Sequence, residues 1–174
     1  MPRGFGCGQA EARELAIGAS RYEPEDERGT NMKAILVPVG AMPRTVEIDG
    51  SLKSMQEAVG GNIELCSWVF NDEPAVYVNE EGKFTCEPNR AVYATEDDEG
   101  CVKWDGSKIR EGDLLEILFG DVLCVGYDPE TGEDRDVTDE EISRVNERFG
   151  TAWSIESGWA EALRIRLQAR AARA

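Results

Sequence analysis

A helix that has to stop at a glycine pair is the strongest constraint in this sequence. Leu52, Met55 and Val59 recur at the spacing of one helix face, and Gly60 stands where a left-handed residue ends a helix. Ser51 is the predicted N-cap. The apolar run Ile63–Phe70 follows almost at once, and we expect it to be a strand in the centre of a sheet.

Other segments predict further strands and one more capped helix. Met32–Val39 is a predicted strand in which Pro38 marks an edge or an end, and Arg44–Ile48 pairs back with it as a hairpin. The remaining extended segments are Ala75–Asn79, Ala91–Thr95, Cys101–Trp104 and Asp121–Gly126, while Leu114–Phe119 fits a strand or a helical turn. Thr138 and Glu141 form a capping box ahead of Ile142, Val145 and Phe149. We therefore expect an α+β fold, with a small mixed, mostly antiparallel sheet and two or three helices packed on it.

Composition divides the chain into three parts. Residues 1–31 are rich in Gly, Arg and Glu, and we expect a disordered leader. Residues 32–150 form the predicted α+β domain, so translation from Met32 instead of Met1 is an open alternative. Residues 151–174 predict a C-terminal helix, with Trp153, Ile155, Trp159 and Leu163 ahead of four arginines. This helix either docks on the domain or is a tail that binds a partner.

The charge of the chain argues against nucleic acid and membranes as direct partners. The whole chain has a net charge of -16, and residues 32–150 alone hold 27 acidic and 11 basic residues. Binding to a phosphate backbone or to an anionic bilayer would have to overcome this charge. No apolar run has the length of a membrane span either.

Cysteine and histidine usage removes several classes of enzyme. The five cysteines form no CxxC pair, and this odd number without a signal sequence indicates free thiols in the cytoplasm. Cys66 and Cys124 lie in apolar runs and are predicted to be inert core residues. Since the chain has no histidine, imidazole zinc sites and Ser-His or Cys-His nucleophiles are excluded. We expect no metal, no cofactor and no catalytic residue.

Two acidic clusters allow three interpretations. They consist of Glu96, Asp97, Asp98 and Glu99, and of Asp128, Glu130, Glu133, Asp134 and Asp136. The simplest interpretation is that they are solvated loops that keep the protein soluble. The second is an acidic surface that mimics nucleic acid and occupies the basic groove of a DNA-binding enzyme. The third, a calcium loop, is disfavoured because Glu133 holds the place where an EF-hand needs glycine.

Asn89 and Arg90 are the best candidates for a specific polar site. Arginine and asparagine together recognise a carboxylate or a phosphate by paired hydrogen bonds. The structural alternative is that Asn89 bonds its own backbone in a turn while Arg90 pairs with one of the many acids. Gln56, Asn79 and Glu80 are weaker candidates, since Asn79–Gly82 is most simply a hairpin turn.

Six short motifs follow one another between Met32 and Phe149: Val46–Asp49, Met55–Glu64, Asn79–Lys83, Pro88–Ala91, Gly120–Gly126 and Val137–Ile142. This series resembles the domain of unknown function 3846 family. The resemblance implies a small α+β domain encoded among the accessory genes of bacteriophages and other mobile genetic elements, with no established activity. The leader, the insert Thr95–Lys108 and the helix after Phe149 depart from the family pattern.

Together these observations predict a cytoplasmic, uncharacterised accessory protein that acts by binding and is not an enzyme. Its expected partner is a basic protein, such as a nucleic-acid enzyme of the host or of a defence system, held at the acidic surface. The alternative is a small-ligand module or weak enzyme built on Asn89 and Arg90. A third interpretation is that the charge reflects only an acidic host proteome. The sequence sets no oligomeric state.

Overall fold

The computed structural model of the protein describes residues 31–103 and 105–173. Its main sheet has six strands, and every neighbouring pair is antiparallel. Five strands lie in the order β2-β1-β7-β4-β3, and β8 pairs with the end of β7; they are β1 (Met32–Val37), β2 (Arg44–Ile48), β3 (Ile63–Leu65), β4 (Ala75–Asn79), β7 (Val122–Tyr127) and β8 (Asp134–Arg135). This sheet, with helices packed on it, confirms the predicted α+β fold. The predicted leader lies outside the described residues, except for Asn31.

The centre of the sheet is β7, and the prediction that Ile63–Phe70 holds this place is wrong. Residues 122 to 125 of β7 are all 0 % exposed, so the strand is buried on both faces. Only Ile63–Leu65 forms a strand, at the edge of the sheet, and Ser67–Val69 is a 3-10 turn. The two runs have the same apolar pattern, and the pattern does not tell which one receives neighbours on both sides.

The first hairpin and the first helix form as the local signals predict. In the β1–β2 hairpin, Met32 faces Ile48 and Leu36 faces Arg44, and Pro38 lies just after the end of β1. α1 (Leu52–Val59) begins at Ser51, whose Oγ accepts a hydrogen bond from the Ser54 N–H at 3.1 Å. It ends at Gly60 with φ 75°. Met55 and Val59 cover one face of the sheet, over Ala34, Ala75, Leu123 and Val125.

The opposite face of the sheet carries a two-stranded ribbon and a helix. The ribbon pairs β5 (Pro88–Tyr93) with β6 (Leu114–Phe119). β6 is thus a strand, where a strand or a helical turn was expected, and β5 begins at Pro88, earlier than the predicted start at Ala91. α3 (Asp139–Phe149) begins at the predicted capping box and buries Val145 and Phe149. These residues share the larger core with Ile35, Val37, Val76, Val78, Val92, Leu118, Val122 and Cys124. A short helix, α2 (Gly82–Thr85), lies where a turn was predicted.

The last helix, α4 (Ala152–Ala171), docks with only part of its length. Ser154, Ser157 and Gly158 are buried against β5, whereas every residue from Leu163 to Arg173 is exposed. In the insert between β5 and β6, Val102 forms one isolated bridge with Lys108 where a strand was predicted; Trp104 lies outside the described residues. No helix in the described part of the chain is long and apolar enough to cross a membrane.

Candidate functional site

Asn89 and Arg90, the predicted polar pair, lie side by side in the interior at the start of β5. Both are 0 % exposed. The Asn89 amide donates to the carbonyls of Val37 at 2.9 Å and Gly120 at 2.6 Å. Arg90 donates from Nε to the Phe149 carbonyl at 3.1 Å and from Nη2 to the Ala41 carbonyl at 2.6 Å. Its Nη1 donates to Asn89 Oδ1 at 2.5 Å.

This pair ties together the ends of four segments of the chain. The carbonyls follow or end β1, β6 and α3, and one belongs to the loop between β1 and β2. Burial lowers the pKa of Arg90 to about 10, so the guanidinium stays charged at neutral pH. The described partners of Arg90 are backbone carbonyls and the Asn89 amide oxygen, whereas the structural alternative expected an acid. A ligand at this pair would have to displace these hydrogen bonds, because neither side chain reaches the surface.

The weaker candidates Gln56, Asn79 and Glu80 meet at the end of α1, away from Arg90. Asn79 Nδ2 donates to the Gly60 carbonyl at 3.1 Å, and its Oδ1 accepts from the Glu81 N–H at 2.9 Å. Gln56 Nε2 lies 3.4 Å from Asn62 Oδ1, and the Glu80 N–H donates to the Asn62 carbonyl at 2.8 Å. Asn79 thus joins the helix end to β4, and the Glu80 side chain is exposed.

Both predicted acidic clusters contribute to one surface that runs along α3 and continues to β8, which we call the acidic groove. It consists of three adjoining depressions of about 380, 220 and 620 Å³. Arg144 lines both the first and the second depression, and Arg135 lines both the second and the third. Ten carboxylates and three arginines line the groove, a net charge of -7; the acids are Asp49, Glu73, Asp97, Asp98, Glu133, Asp134, Asp136, Glu140, Glu141 and Glu147.

All three arginines of the acidic groove are engaged by the protein itself. Arg135 forms a two-pronged pair with Glu141, with both N···O distances 3.0 Å. Arg144 donates to the Glu73 carbonyl at 2.7 Å and lies 3.3 Å from its carboxylate. Arg148 donates to the Val69 and Tyr93 carbonyls and stacks over the Phe70 ring at 5.3 Å. Seven carboxylates of the groove are exposed to solvent: Asp49, Glu73, Asp97, Glu133, Asp136, Glu140 and Glu147.

Three carboxylates of the acidic groove have shifted pKa values: hydrogen bonds from Ser51 and Ser54 lower that of Asp49, and those of Glu141 and Asp134 shift in opposite directions. Burial raises the pKa of Glu141, but hydrogen bonds from Arg135 and from the Thr138 backbone outweigh it and hold the pKa below its usual value. Burial also acts on Asp134, and there it raises the pKa despite a 3.1 Å hydrogen bond from the Tyr77 hydroxyl. Glu141 is thus a structural anion of the capping box, while Asp134 is the carboxylate of the groove that protonates more readily.

Sequence reasoning found five of the ten carboxylates. Of the predicted acidic residues, Asp97, Asp98, Glu133, Asp134 and Asp136 line the groove, and Glu96, Glu99, Asp128 and Glu130 belong to the same two turns. The residues that were missed are Asp49, Glu73, Glu140, Glu141 and Glu147, together with the exposed indole of Trp68. One signal was present, since Glu140, Arg144 and Glu147 recur at the spacing of one helix face.

Two of the thiols are buried, and the described residues contain no cluster that could hold a metal ion. Cys66 and Cys124 are buried in the core, as predicted, and burial raises the pKa of their thiols to about 11 and about 12. Among residues 31–103 and 105–173, no group of three His, Cys, Asp or Glu side chains is arranged to hold a metal ion.

Comparison with known families covers most of the described chain. The family model with the description "Domain of unknown function (DUF3846)" matches residues 32–150. The chain belongs to the DUF3846 family. All ten carboxylates of the acidic groove lie in the DUF3846 segment, and α4 lies outside it. No curated protein and no solved structure matches the chain.

Proposed function

We propose that this DUF3846 protein acts by binding, and that its acidic groove receives a basic protein. The observation that carries the proposal is the -7 net charge of three adjoining depressions whose arginines are all engaged internally. Opposite charge on a partner would be attracted over about one Debye length, roughly 8 to 10 Å in physiological salt.

The first depression offers a place for an arginine or lysine side chain. Trp68 is 42 % exposed there, beside Asp97 and Glu147. A guanidinium binds carboxylates by paired hydrogen bonds and stacks on aromatic faces. Arg144 and Arg148 also line this depression and leave it a net charge of -1, and this charge together with the aromatic surface favours a cationic side chain over a neutral one.

The partner class that we propose is a nucleic-acid enzyme of the host or of a defence system, because such enzymes carry a basic groove. The 11 residues of α3 cover about 16 Å, along which a DNA duplex presents roughly ten phosphates. The acidic groove continues past both ends of α3, so its charge density is lower than that of a duplex but of the same order. This density supports mimicry of nucleic acid as the mode of binding.

A calorimetric titration with a synthetic arginine-rich peptide tests the proposal. The variant Asp97→Asn/Glu147→Gln removes two exposed charges from the acidic groove, and Glu47→Gln/Glu57→Gln removes two exposed charges outside it. We expect the groove variant to weaken binding about tenfold and the matched control to change it less than twofold. Equal effects of the two variants, or no binding at low salt, would overturn the proposal.

Affinity capture identifies the partner once peptide binding is established. The wild-type chain and the groove variant serve as baits in host lysate at low and at high salt. A basic protein recovered by the wild-type chain at low salt, and lost with the groove variant, is the expected result. Proteins recovered equally by both baits would argue against the acidic groove as the binding surface.

A further inference from the structure

The exposed side of α4 is more apolar than its docked side. The helix contacts β5 through Ser154, Ser157 and Gly158, and the Ser157 hydroxyl accepts a hydrogen bond from the Ala91 N–H at 2.9 Å. Trp159, Leu163 and Leu167 are 49, 54 and 55 % exposed. Large apolar side chains in a row on a surface mark an interaction site.

These apolar residues belong to a stripe with a symmetric order. Glu156, Trp159, Leu163, Leu167 and Arg170 follow one another at spacings of three, four, four and three residues, which keeps them on one side of the helix. Leu163 is the midpoint, with an apolar residue four positions away on each side. Seven positions away, an acid stands on one side and a base on the other. We call this set the α4 stripe.

We propose that the α4 stripe is the interface of a two-fold symmetric dimer, and that its occupant is the antiparallel α4 of a second copy of this chain. With the axis at Leu163, the two Leu163 side chains meet, and Trp159 packs against Leu167 of the partner subunit. Glu156 then lies beside Arg170 of the partner subunit, and symmetry repeats both contacts. The complementary charges of Glu156 and Arg170 favour a second copy of this chain as the occupant.

The charges disfavour a parallel arrangement of the two helices. Within one chain, Glu156 and Arg170 are separated by about 21 Å along the helix, since each residue adds 1.5 Å, so they do not pair with each other. A parallel dimer would place acid against acid and base against base. The antiparallel dimer turns both repulsions into attractions.

The surface beside α4 has room for the second helix. A depression of about 660 Å³ lies between α4 and the loop after β1, lined by Gly40, Ile155, Trp159, Ala162 and Leu163. Because the half of α4 beyond Ala162 is exposed on every side, antiparallel pairing lays this free half of one copy over the docked half of the other. Each chain thereby covers the depression of its partner.

Sedimentation equilibrium of the full chain at several concentrations tests the dimer. We expect a mass approaching twice 19.2 kDa as the concentration rises. Leu163→Asp should leave a monomer, because it places two carboxylates together on the axis. Ile165→Asp is the matched control, since Ile165 is also exposed but points to the other side of α4. A monomer at all concentrations, or equal effects of the two variants, would overturn the proposal.

A charge exchange tests the orientation of the two helices. Glu156→Arg and Arg170→Glu should each weaken association about tenfold, since each replaces two attractions by two repulsions. The double variant Glu156→Arg/Arg170→Glu should restore the wild-type dimer. A double variant as weak as either single variant would exclude antiparallel pairing, whatever the mass of the wild-type protein.

Discussion

α3 and α4 follow each other in the chain and pack against the same half of the protein, but they do so with opposite chemistry. α3 buries Val145 and Phe149 and shows its charged side to solvent. α4 buries two serines and a glycine and shows its tryptophans and leucines. A capping box begins both helices, so the difference lies in what each face contacts and not in how the helices start.

The contrast shows that the apolar side of a helix is not always its docking side. α4 docks through its small residues because it lies very close to β5. A Cβ on Gly158 would be only 2.7 Å from the Asn89 carbonyl carbon. Only small residues allow the helix to lie directly on the β5 backbone. The apolar residues of α4 are then left for another surface, whereas α3 completes the core of the DUF3846 segment.

The largest effect should come from the apolar anchor of α3. Phe149→Ala removes a ring that is 1 % exposed and should lower the free energy of unfolding by about 4 kcal/mol. Ile165→Ala on the free half of α4 should change it by less than about 0.5 kcal/mol. Urea unfolding followed by circular dichroism measures both. Similar losses would mean that α4 is as much a part of the core as α3.

A somewhat smaller effect should follow when the buried cation of β5 that bonds the end of α3 is removed. Arg90→Met leaves the Phe149 and Ala41 carbonyls without their donor, which should cost about 3 kcal/mol. Arg44→Met, at an exposed position of β2, is the control and should be close to neutral. The same unfolding measurement compares them, and a neutral Arg90→Met would refute a structural role for this arginine.

Gly158→Ala tests how closely α4 lies on β5. On an exposed helix this substitution stabilises, but here the new methyl group meets the Asn89 backbone, and we expect a loss of about 2 kcal/mol. Hydrogen exchange should show faster exchange in the first half of α4, with the free half unchanged. A gain in stability would mean that the helix lies farther from the strand than the structure shows.

The smallest effect concerns the electrostatic start of α3. Since the folded pKa of Glu141 is lowered, its carboxylate stabilises the fold above its ordinary pKa of 4.5, and this contribution is lost as the pH falls through the folded pKa. Glu141→Gln should therefore cost about 1 kcal/mol at pH 7, and this cost should shrink as the pH falls below 4.5. Unfolding curves over a series of pH values measure the change, and a cost that is the same at every pH would contradict the assigned cause.

Local signals explain which parts of the fold are readable from the sequence. The N-cap at Ser51, the glycine end of α1 and the capping box at Thr138 act within a few residues, and each stands where the sequence places it. The order of the strands depends on contacts between distant segments. The apolar runs Ile63–Phe70 and Asp121–Gly126 therefore looked alike, although only β7 in the second run lies at the centre.

The candidate site was readable only in part for the same reason. Acids in the turns stand out as clusters, but the acids of α3 reach the acidic groove because the helix turns them toward it. The residue types of Asn89 and Arg90 marked them as a polar pair. Their partners are carbonyls up to 59 residues away, and such partners carry no side-chain signal in a sequence.

The internal bonds of the three groove arginines also bear on how fast the proposed basic partner would bind. Because Arg135, Arg144 and Arg148 keep their partners, the negative field along α3 exists before a ligand arrives, and little has to rearrange at first encounter. Preset fields of this kind steer diffusing molecules and raise association rate constants towards about 10⁸ M⁻¹s⁻¹ at low ionic strength. A scarce cationic target would then be intercepted at a rate limited by diffusion.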